Sequence, residues 1–416
     1  MADVDVDVDA VVDEVQTWLA EHWDPDRPLV QWRSLLADSG WGCPSWPTEW
    51  YGRGLHPSLN GVIAACFARA GAVGTAAGTA MTLVAPTVLA HGSDELKARL
   101  LRPMITGEHK WCQLFSEPGN GSDLAGLTTG AVRDGDEWVV NGQKVWNTGA
   151  HHAQWGMLLA RTDFDVPKHR GISFFCLPME QPGVEVRPLR QMNFHSSFNE
   201  VFLGDARVAH SNLVGEVGGG WAVAMTTLMH ERGLAGNRVP DFSRADAGRT
   251  AREAKAEAEE YFRTYVWYPQ RAGRPDLVQP HARRVGRDTD PVLRQRMASV
   301  HAFAEASRWT ALRAQAARAA GRPPGPEGSL GKLSSSITAR ACNAVHTQLA
   351  GAHGMLAGTD PAADPVIAEV LISTPGQSIA GGTDEIQHNI MGERVLGLPK
   401  EPSLDNDIPF REVRRN

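Results

Sequence analysis

The order of helical and strand-like patterns is the strongest constraint on the fold. From about residue 10 to 109, apolar residues recur at helical spacing, as Ile63, Phe67 and Ala70 do. Short strand-like runs then extend to about residue 215, and helical patterns return after the three glycines at 218–220. Because helices and strands are segregated and do not alternate, the sequence predicts an α+β fold.

The middle of the chain predicts an antiparallel β-domain. Asp134-Gly135 and Asn141-Gly142 are dipeptides typical of hairpin turns, and short strand-like runs surround and follow them. Such close spacing indicates a meander or a small barrel. The predicted domains are a helical domain at 1–109, a barrel-like β-domain at 110–216 and a second helical domain at 217–416.

The second helical domain has an irregular start. Pro240 interrupts its first helix, residues 243–266 are typical of a solvated helix, and residues 269–287 are rich in Pro and Arg and indicate a loop. The segment at about 240–288 is therefore the atypical part of this domain. Long helices are predicted after it, at about 289–320, 329–350 and 382–396.

Composition excludes several classes of protein. A formal net charge of −7 argues against a nucleic-acid binder. No stretch approaches the roughly 18 apolar residues of a membrane span, and the acidic N-terminus does not resemble a secretion signal. The five scattered cysteines indicate reduced thiols, so a cytoplasmic location is expected.

Common nucleotide and metal signatures are incomplete. Gly331-Lys332 lacks the first Gly and the final Ser or Thr of a P-loop, and Gly119-Asn120-Gly121 lacks the third Gly of a dinucleotide fingerprint. His151 and His152 are adjacent, which is not the spacing of metal ligands. The sequence therefore supports neither a nicotinamide, an ATP nor a metal enzyme.

The most informative stretch is the glycine-rich loop at 115–123, Phe-Ser-Glu-Pro-Gly-Asn-Gly-Ser-Asp. Its glycines free backbone N–H groups to face an anion or a ring, and Ser116 and Ser122 add hydroxyl donors. Taken alone, a loop of this composition is more typical of an ordinary surface turn than of a ligand site. Two further stretches change that balance: residues 141–148, Asn-Gly-Gln-Lys-Val-Trp-Asn-Thr, and residues 382–387, Gly-Thr-Asp-Glu-Ile-Gln.

Together the three stretches resemble signatures of the acyl-CoA dehydrogenase family, in family order and at family spacing. The resemblance extends from about Trp41 to Pro399, with a break at roughly 240–288. It implies a helical domain, a β-domain and a C-terminal four-helix-bundle domain, with FAD as the cofactor and an acyl-CoA as the substrate.

The resemblance also implies roles for individual residues. Phe115, Ser116, Gly121 and Ser122 are expected to line the flavin and the acyl-CoA entrance, with Ser122 near a phosphate. Trp146 is expected to pack on the isoalloxazine and Thr148 to hydrogen-bond flavin N5. The adenine end is expected to reach a neighbouring subunit. The residues implied there are Gln348, Gly351, Thr383 and Glu385. The alternatives are ordinary strand packing for Trp146 and a solvated helix face for Gln348.

The expected catalytic base is Glu231. Many relatives carry the base just before the third signature, where this chain has Gly381. In isovaleryl-CoA and long-chain acyl-CoA dehydrogenases it belongs to a Glu-Arg pair on the first helix after the β-domain, which Glu231-Arg232 matches. Glu231 also continues the helical stripe of Trp221, Ala224, Met225 and Leu228. The alternative is a structural ion pair or a helix-end carboxylate. Arg232 and Gly381 are expected beside the substrate.

A second departure concerns arginines. The Arg-x-x-Phe-Gly motif, whose Arg meets the FAD pyrophosphate in relatives, is absent, and Arg294 is the expected substitute. A basic cluster is expected either to meet CoA phosphates or to be a solvated loop. Its members are Arg271, Arg274, Arg283, Arg284 and Arg287.

Three functions follow as hypotheses. The first is α,β-dehydrogenation of an acyl-CoA, with electron-transfer flavoprotein or a similar acceptor, in a homodimer or homotetramer. The second, motivated by Gly381, is a catalytically silent or partner-dependent subunit of a heteromer. The third is a flavin oxidase or monooxygenase on the same scaffold, because fold does not fix function.

Overall fold

Helices occupy the first part of the chain, as the sequence predicts. The computed structural model describes residues 7–233, 248–319, 327–356, 364–403, 405 and 407–414. Trp32 is fully buried at the centre of these helices, where its indole N–H donates to the carbonyl of Val73 and its ring contacts Trp18, Trp23 and Phe67. The helices are α1 (Val8–His22), α2 (Leu29–Ser39), α3 (Asn60–Ala70), α4 (Ala85–His91) and α5 (Asp94–Thr106).

An eight-stranded sheet follows. Its strands are β1 (Trp111–Leu114), β2 (Gly130–Asp134), β3 (Glu137–Val145), β4 (Trp155–Arg161), β5 (Ile172–Pro178), β6 (Val184–Leu189), β7 (Phe198–Ala209) and β8 (Leu213–Val214). The order across the sheet is β6-β7-β3-β2-β4-β5-β8, and β1 pairs with β4.

The sheet is not purely antiparallel, so that part of the prediction is wrong. β4 runs parallel to both β1 and β2, whereas the other pairings are antiparallel. Parallel neighbours need a long connection that returns the chain to the same end of the sheet. The glycine-rich loop, β2 and β3 supply that connection between β1 and β4, and local patterns do not encode the direction in which it returns.

One of the two predicted hairpins is present. Asp134 faces Glu137 at the turn between β2 and β3, as predicted. Asn141-Gly142 does not form a hairpin: it lies inside β3, where the register against β7 shifts in a bulge. Glycine is required there because a Cβ on Gly142 would lie 2.4 Å from Oγ1 of Thr129. The glycine of this dipeptide therefore allows β3 to lie close to Thr129 inside the sheet.

Helices return after the sheet. They are α6 (Gly220–Gly233), α7 (Arg249–Arg263), α8 (Tyr268–Arg271), α9 (Val278–Arg284), α10 (Pro291–Ala319), α11 (Glu327–Ala350), α12 (Pro365–Ser373) and α13 (Asp384–Arg394). The three long helices predicted at the C-terminal side are confirmed as α10, α11 and α13. The loop predicted at 269–287 is wrong in part, because it contains most of α8 and all of α9. Pro269 stands in the first turn of α8, a position that proline favours, so it starts a helix there. Pro240 lies outside the described residues.

The helix α7 is not simply solvated, contrary to the prediction. Ala251, Ala254 and Ala258 form a buried stripe, and the helix packs against α2. Glu253 accepts from the backbone N–H of Leu29, and Glu257 accepts from Arg33 at 2.6 Å. The alanines of the atypical segment therefore let α7 lie close against the N-terminal helices. Within the described ranges, no helix is both long and apolar enough to cross a membrane.

A buried histidine pair joins α9 to α11. Nδ1 of His281 and Nδ1 of His346 are 3.0 Å apart, and Nε2 of His346 lies 3.3 Å from the carbonyl of Arg274. Burial, the neighbouring His346 and Arg284 lower the pKa of His281 to about 4, against a smaller opposing effect of Asp364. Burial also lowers the pKa of His346. The folded state therefore keeps the pair neutral.

This pair predicts a pH dependence of stability. The unfolded chain binds a proton at His281 near pH 6.5, and the folded chain only near pH 4, so stability falls as pH falls between these values and rises as pH rises. We expect His281→Asn, which keeps a polar atom near the position of Nδ1, to flatten the decrease in melting temperature over that window. His301→Gln on the exposed face of α10 is the matched control. An unchanged slope in His281→Asn would contradict the assignment.

Candidate active site

The first two signatures lie side by side at one end of the sheet. Residues 115–122 continue from β1, and the second signature forms the end of β3. The backbone N–H of Val145 donates to the carbonyl of Ser116 at 2.9 Å. Nζ of Lys144 donates to the carbonyl of Phe115 at 3.1 Å. The structure therefore brings together Phe115, Ser116 and the segment that carries Trp146 and Thr148.

A buried ion pair holds the loop to β3. Nζ of Lys144 lies 2.9 Å from Oε1 of Glu117, and both side chains are buried. The Glu117 carboxylate also accepts from the backbone N–H groups of Thr128 and Thr129 and from the Thr128 hydroxyl, at 2.7–2.8 Å. Burial alone would raise the pKa of Glu117, but Lys144 and these hydrogen bonds lower it to about 2. The carboxylate is thus ionised, and it ties both ends of the glycine-rich loop together.

The loop itself faces outward. Gly121 and Ser122 are exposed, and a Cβ added at Gly119 or Gly121 would meet nothing within 4 Å. At its far side, Lys168 bonds the carboxylates of Asp123 and Asp405, so the C-terminal segment also holds the loop. An open backbone of this kind suits a ligand that approaches closely.

Trp146 does not pack inside the sheet. Trp146 is 55% exposed, and its backbone φ is +64°. Among the described aromatic rings, its indole contacts only Phe198, in an edge-to-face arrangement. Thr148, two residues later, is half-buried. An outward indole face beside an open glycine-rich loop fits the flat ring system and phosphates of FAD.

Glu231 reaches the same region from α6. This helix lies on the sheet because Gly220 has no side chain: a Cβ there would be 2.5 Å from the carbonyl carbon of Ser173. Two contacts with α4 fix its orientation, namely Thr87 with Thr227 at 3.0 Å and His91 with Thr226 at 2.8 Å.

The buried face of α6 differs slightly from the predicted stripe. The side chains of Val223, Ala224 and Thr227 are buried. Glu231, one turn after Thr227, is half-buried at the edge of this face. Nε2 of Gln113 in β1 donates to Oε2 of Glu231 at 3.4 Å. Glu231 therefore lies beside the strand that leads directly into the glycine-rich loop.

Two tyrosines lie close enough to Glu231 to feel its charge. Burial, with contributions from neighbouring tyrosines and from Glu231, raises the pKa of Tyr265 well above its ordinary value. Burial also raises the pKa of Tyr268, and Glu231 acts in the same direction. Both phenols therefore stay protonated and can donate hydrogen bonds. Arg271 lies over the Tyr268 ring at 4.1 Å and reaches towards Gly376, in the segment that leads to Gly381.

Comparisons with known proteins agree with this architecture. Models of the acyl-CoA dehydrogenase N-terminal, middle and C-terminal domains match residues 7–108, 112–205 and 279–396. Acyl-CoA dehydrogenase IpdE1 of Mycobacterium tuberculosis is 35% identical over 379 residues, which cover 89% of this chain and 88% of that protein.

The chain belongs to the acyl-CoA dehydrogenase family.

Two solved structures of the family are also similar. The Tcur3481-Tcur3483 steroid ACAD has a TM-score of 0.65 at 26% identity and covers 95% of this chain and 98% of its own. The ChsE4-ChsE5 complex from Mycobacterium tuberculosis has a TM-score of 0.62 at 26% identity and covers 96% of this chain and 100% of its own.

The residues predicted for the adenine end of an acyl-CoA dehydrogenase lie along α11 and α13. Asp384, next to Thr383, bonds Arg340 in α11, and Gln348 lies eight residues further, about 12 Å along the helix. Thr383 caps α13 through the N–H of Ile386, while Gly351 and Glu385 are exposed. Within one chain these residues do not converge on one point.

Other predicted residues are more isolated. Arg294 is exposed in the first turn of α10, and its side chain reaches the carbonyl of Asp288 at 3.4 Å. Gly381 is exposed at φ +68°, with only Cε of Lys332 at 4.0 Å from an added Cβ. The side chain of Arg232 lies outside the described residues. Three members of the predicted basic cluster pair with carboxylates: Arg274 with Asp276, Arg284 with Asp364 and Arg287 with Asp290.

Sequence reasoning missed several residues of the site. Gln113, Tyr265 and Tyr268 carry no signal of their own, and Asn147 lies in the second signature without a predicted role, since their contacts join distant parts of the chain. Lys144, in contrast, did carry a signal of burial in the sequence. Along β3 the buried residues Trp138 and Val140 alternate with more exposed ones, and the same period places Lys144 on the inner face, where a charge needs a partner.

The buried ion pair predicts a large asymmetry between single and double substitutions. We expect Lys144→Met or Glu117→Gln alone to cost about 3–5 kcal/mol, because each leaves a buried partner uncompensated. The double variant should recover part of that loss. Lys255→Met, which removes an exposed pair with Glu259 on α7, is the control and should cost under about 0.5 kcal/mol. Thermal unfolding of the four variants checks this, and equal losses for Lys144→Met and Lys255→Met would refute it.

Proposed function

We propose that this protein is an FAD-dependent acyl-CoA dehydrogenase that converts an acyl-CoA to the 2-enoyl-CoA, with Glu231 as the base. The observation that carries the proposal is the contact between Gln113 and Glu231. Gln113 joins this half-buried carboxylate to the strand that enters the glycine-rich loop, and the carbonyl of Gln113 accepts from Asn147, in the segment of Trp146 and Thr148.

The reaction removes a proton from Cα and a hydride from Cβ of the thioester. The α-proton is weakly acidic, so its removal needs a positioned carboxylate and hydrogen bonds to the thioester carbonyl. FAD, when bound, supplies the redox chemistry by accepting the hydride. Trp146 would hold the flavin ring, Thr148 would donate to its N5, and Ser116 and Ser122 would bind its pyrimidine edge and a phosphate.

The protein contributes proton transfer and the exclusion of water. Glu231 takes the α-proton on its carboxylate, and Gln113 holds that carboxylate in place by donating to Oε2. The neutral phenols of Tyr265 and Tyr268, whose pKa values Glu231 helps to raise, are proposed to reduce the solvation of the carboxylate. A less hydrated carboxylate is a stronger base in a low-dielectric site.

The acyl group is proposed to be bulky or branched. Gly381, at the position where many relatives carry the base, is open, and it would leave space beside a bound flavin. The rings of Tyr265, Trp267 and Tyr268 pack against one another and are proposed to offer the acyl group an apolar wall. Similarity to a structure described as a steroid ACAD supports a ring-bearing acyl group over a slim straight chain.

The protein is proposed to act as an oligomer in the cytoplasm and to pass electrons to electron-transfer flavoprotein or a similar acceptor. Large apolar side chains are exposed on α10, where a second chain of this fold would cover them: Phe303, Trp309 and Leu312. The adenine-end residues on α11 and α13 would then complete the FAD site of a neighbouring subunit.

A second candidate function is a partner-dependent subunit of a heteromer. Gly381 motivates it, and so does the similarity to the ChsE4-ChsE5 complex. A flavin oxidase or monooxygenase is the third, and oxygen uptake with peroxide or hydroxylated product would indicate it.

The base assignment predicts a loss of turnover in Glu231→Gln. The substitution keeps the shape of the side chain and its contact with Gln113 but removes the basicity. We expect flavin reduction by an acyl-CoA under anaerobic conditions to slow by about 10²–10⁴-fold, with FAD binding retained. Glu21→Gln on the exposed face of α1 is the control. A rate within about threefold of the unsubstituted enzyme would reject the assignment. Recovery in Glu231→Gln, Gly381→Glu would show that both positions reach the same proton.

Assembly is the second test of the proposal. We expect native mass measurements to give two or four times the 45.1 kDa of the chain. The heteromer hypothesis is supported if an acyl-CoA reduces the flavin of the isolated protein only slowly and a co-expressed chain of the same fold restores the activity. A monomer that binds FAD tightly would exclude an adenine site shared between subunits.

A further inference from the structure

The way Trp146 leaves the sheet is the feature that the proposed chemistry does not explain. The last paired residues of β3 and β7 are Val145 and Glu200, so a regular ladder would next place Trp146 opposite Asn199. Instead the backbone N–H of Asn147 donates to the carbonyl of Asn199 at 3.1 Å. Two residues of one strand thus face one residue of the other, which is the definition of a β-bulge.

The bulge carries a tryptophan where glycine is expected. Trp146 has a φ of +64°, in the left-handed region that glycine occupies without penalty and other residues avoid. A bulky residue remains in this conformation only where its surroundings over-determine it, and such residues cluster at functional sites.

Two buried asparagines provide that constraint. Nδ2 of Asn199 donates to the carbonyl of Asn147 at 2.8 Å, which closes a reciprocal pair with the backbone bond. Nδ2 of Asn147 donates to the carbonyl of Gln113 at 2.7 Å and so fixes the same peptide to β1. Asn147 and Asn199 are 1% and 0% exposed, so water does not compete for these bonds.

We call these hydrogen bonds of Asn147 and Asn199 the asparagine clamp; they adjoin the residue that carries the indole. The clamp fixes the backbone that follows Trp146, and through Gln113 it shares a residue with the Glu231 contact. With its backbone held, Trp146 turns its ring out of the sheet, where Phe198 supports one edge.

We propose that Asn147 and Asn199 are positioning residues that hold Trp146 in a strained left-handed bulge, so that its ring is already oriented for the flavin before FAD binds. The inference rests on the proposed FAD site. The physical reason is preorganisation. Folding already supplies the energy that holds the strained backbone, so FAD binding does not have to order the Trp146 side chain and loses less conformational entropy.

The test uses a double-variant cycle on FAD affinity in the full chain. Asn199→Ala should weaken binding of FAD to the apoprotein by about tenfold or more, because both the clamp bond and the ring orientation are lost. In a Trp146→Ala background, Asn199→Ala should change the dissociation constant less than about twofold, because no ring remains to orient. A tenfold loss in both backgrounds would show that Asn199 supports the site only generally and would overturn the proposal.

A second readout does not depend on FAD. Trp146→Gly and Trp146→Ala remove the same ring, but only glycine relieves the positive φ, so the glycine variant should melt about 2 °C or more above the alanine variant. This difference in melting temperature between the glycine and alanine variants should disappear when Asn199→Ala is added, because the bulge is then released. An alanine variant that melts at or above the glycine variant would show that the position is unstrained and would overturn the proposal.

The controls separate the clamp from the proposed function. Asn141→Ala, on the same strand but exposed and bonded to Asp205, should leave the FAD dissociation constant unchanged. If Asn199→Ala does not fold, Asn199→Ser retains a small polar side chain without the amide donor to Asn147 and is used in the same cycle. If the unsubstituted protein binds no FAD, the proposed function fails, and the melting order of the Trp146 variants alone decides whether the clamp exists.

Discussion

The ion pair between Glu117 and Lys144 is the contact on which the site depends. It joins the glycine-rich loop to β3 inside the protein, where an unpaired charge would be costly. Because Glu117 also binds the N–H groups of Thr128 and Thr129, one carboxylate holds both the entry and the exit of the loop. The outward glycines between them are free to meet a ligand because the ends of the loop are fixed.

A second set of contacts joins this frame to α6. Gln113 uses its side chain for Glu231 and its carbonyl for Asn147, so one residue of β1 connects the proposed base to the segment that presents Trp146. The threonine contacts of α6 with α4 restrict how the helix can turn. A displacement of β1 would therefore move the base and the indole together, which keeps the two halves of the proposed reaction aligned.

The atypical segment contributes to the site from a different direction. α7 is anchored to the N-terminal helices through Glu253 and Glu257, and the chain then continues to Tyr265 and Tyr268, whose pKa values Glu231 helps to raise. In this way a stretch without a family signature supplies the aromatic wall proposed to contact the acyl group.

The sequence by itself determined the class of the fold, because helical and strand periods are local and each part of the chain kept one period. It also identified the family through three short signatures in order, whose residue types suit a flavin. It did not determine the direction of β1 and β2 relative to β4, nor that Asn141-Gly142 lies inside a strand and does not form a turn. Those outcomes depend on contacts between strands, such as the close approach of Gly142 to Thr129. Only the tertiary structure placed Gln113 beside Glu231 and Asn199 behind Trp146, because burial and the geometry of neighbouring strands decide which polar groups must satisfy one another.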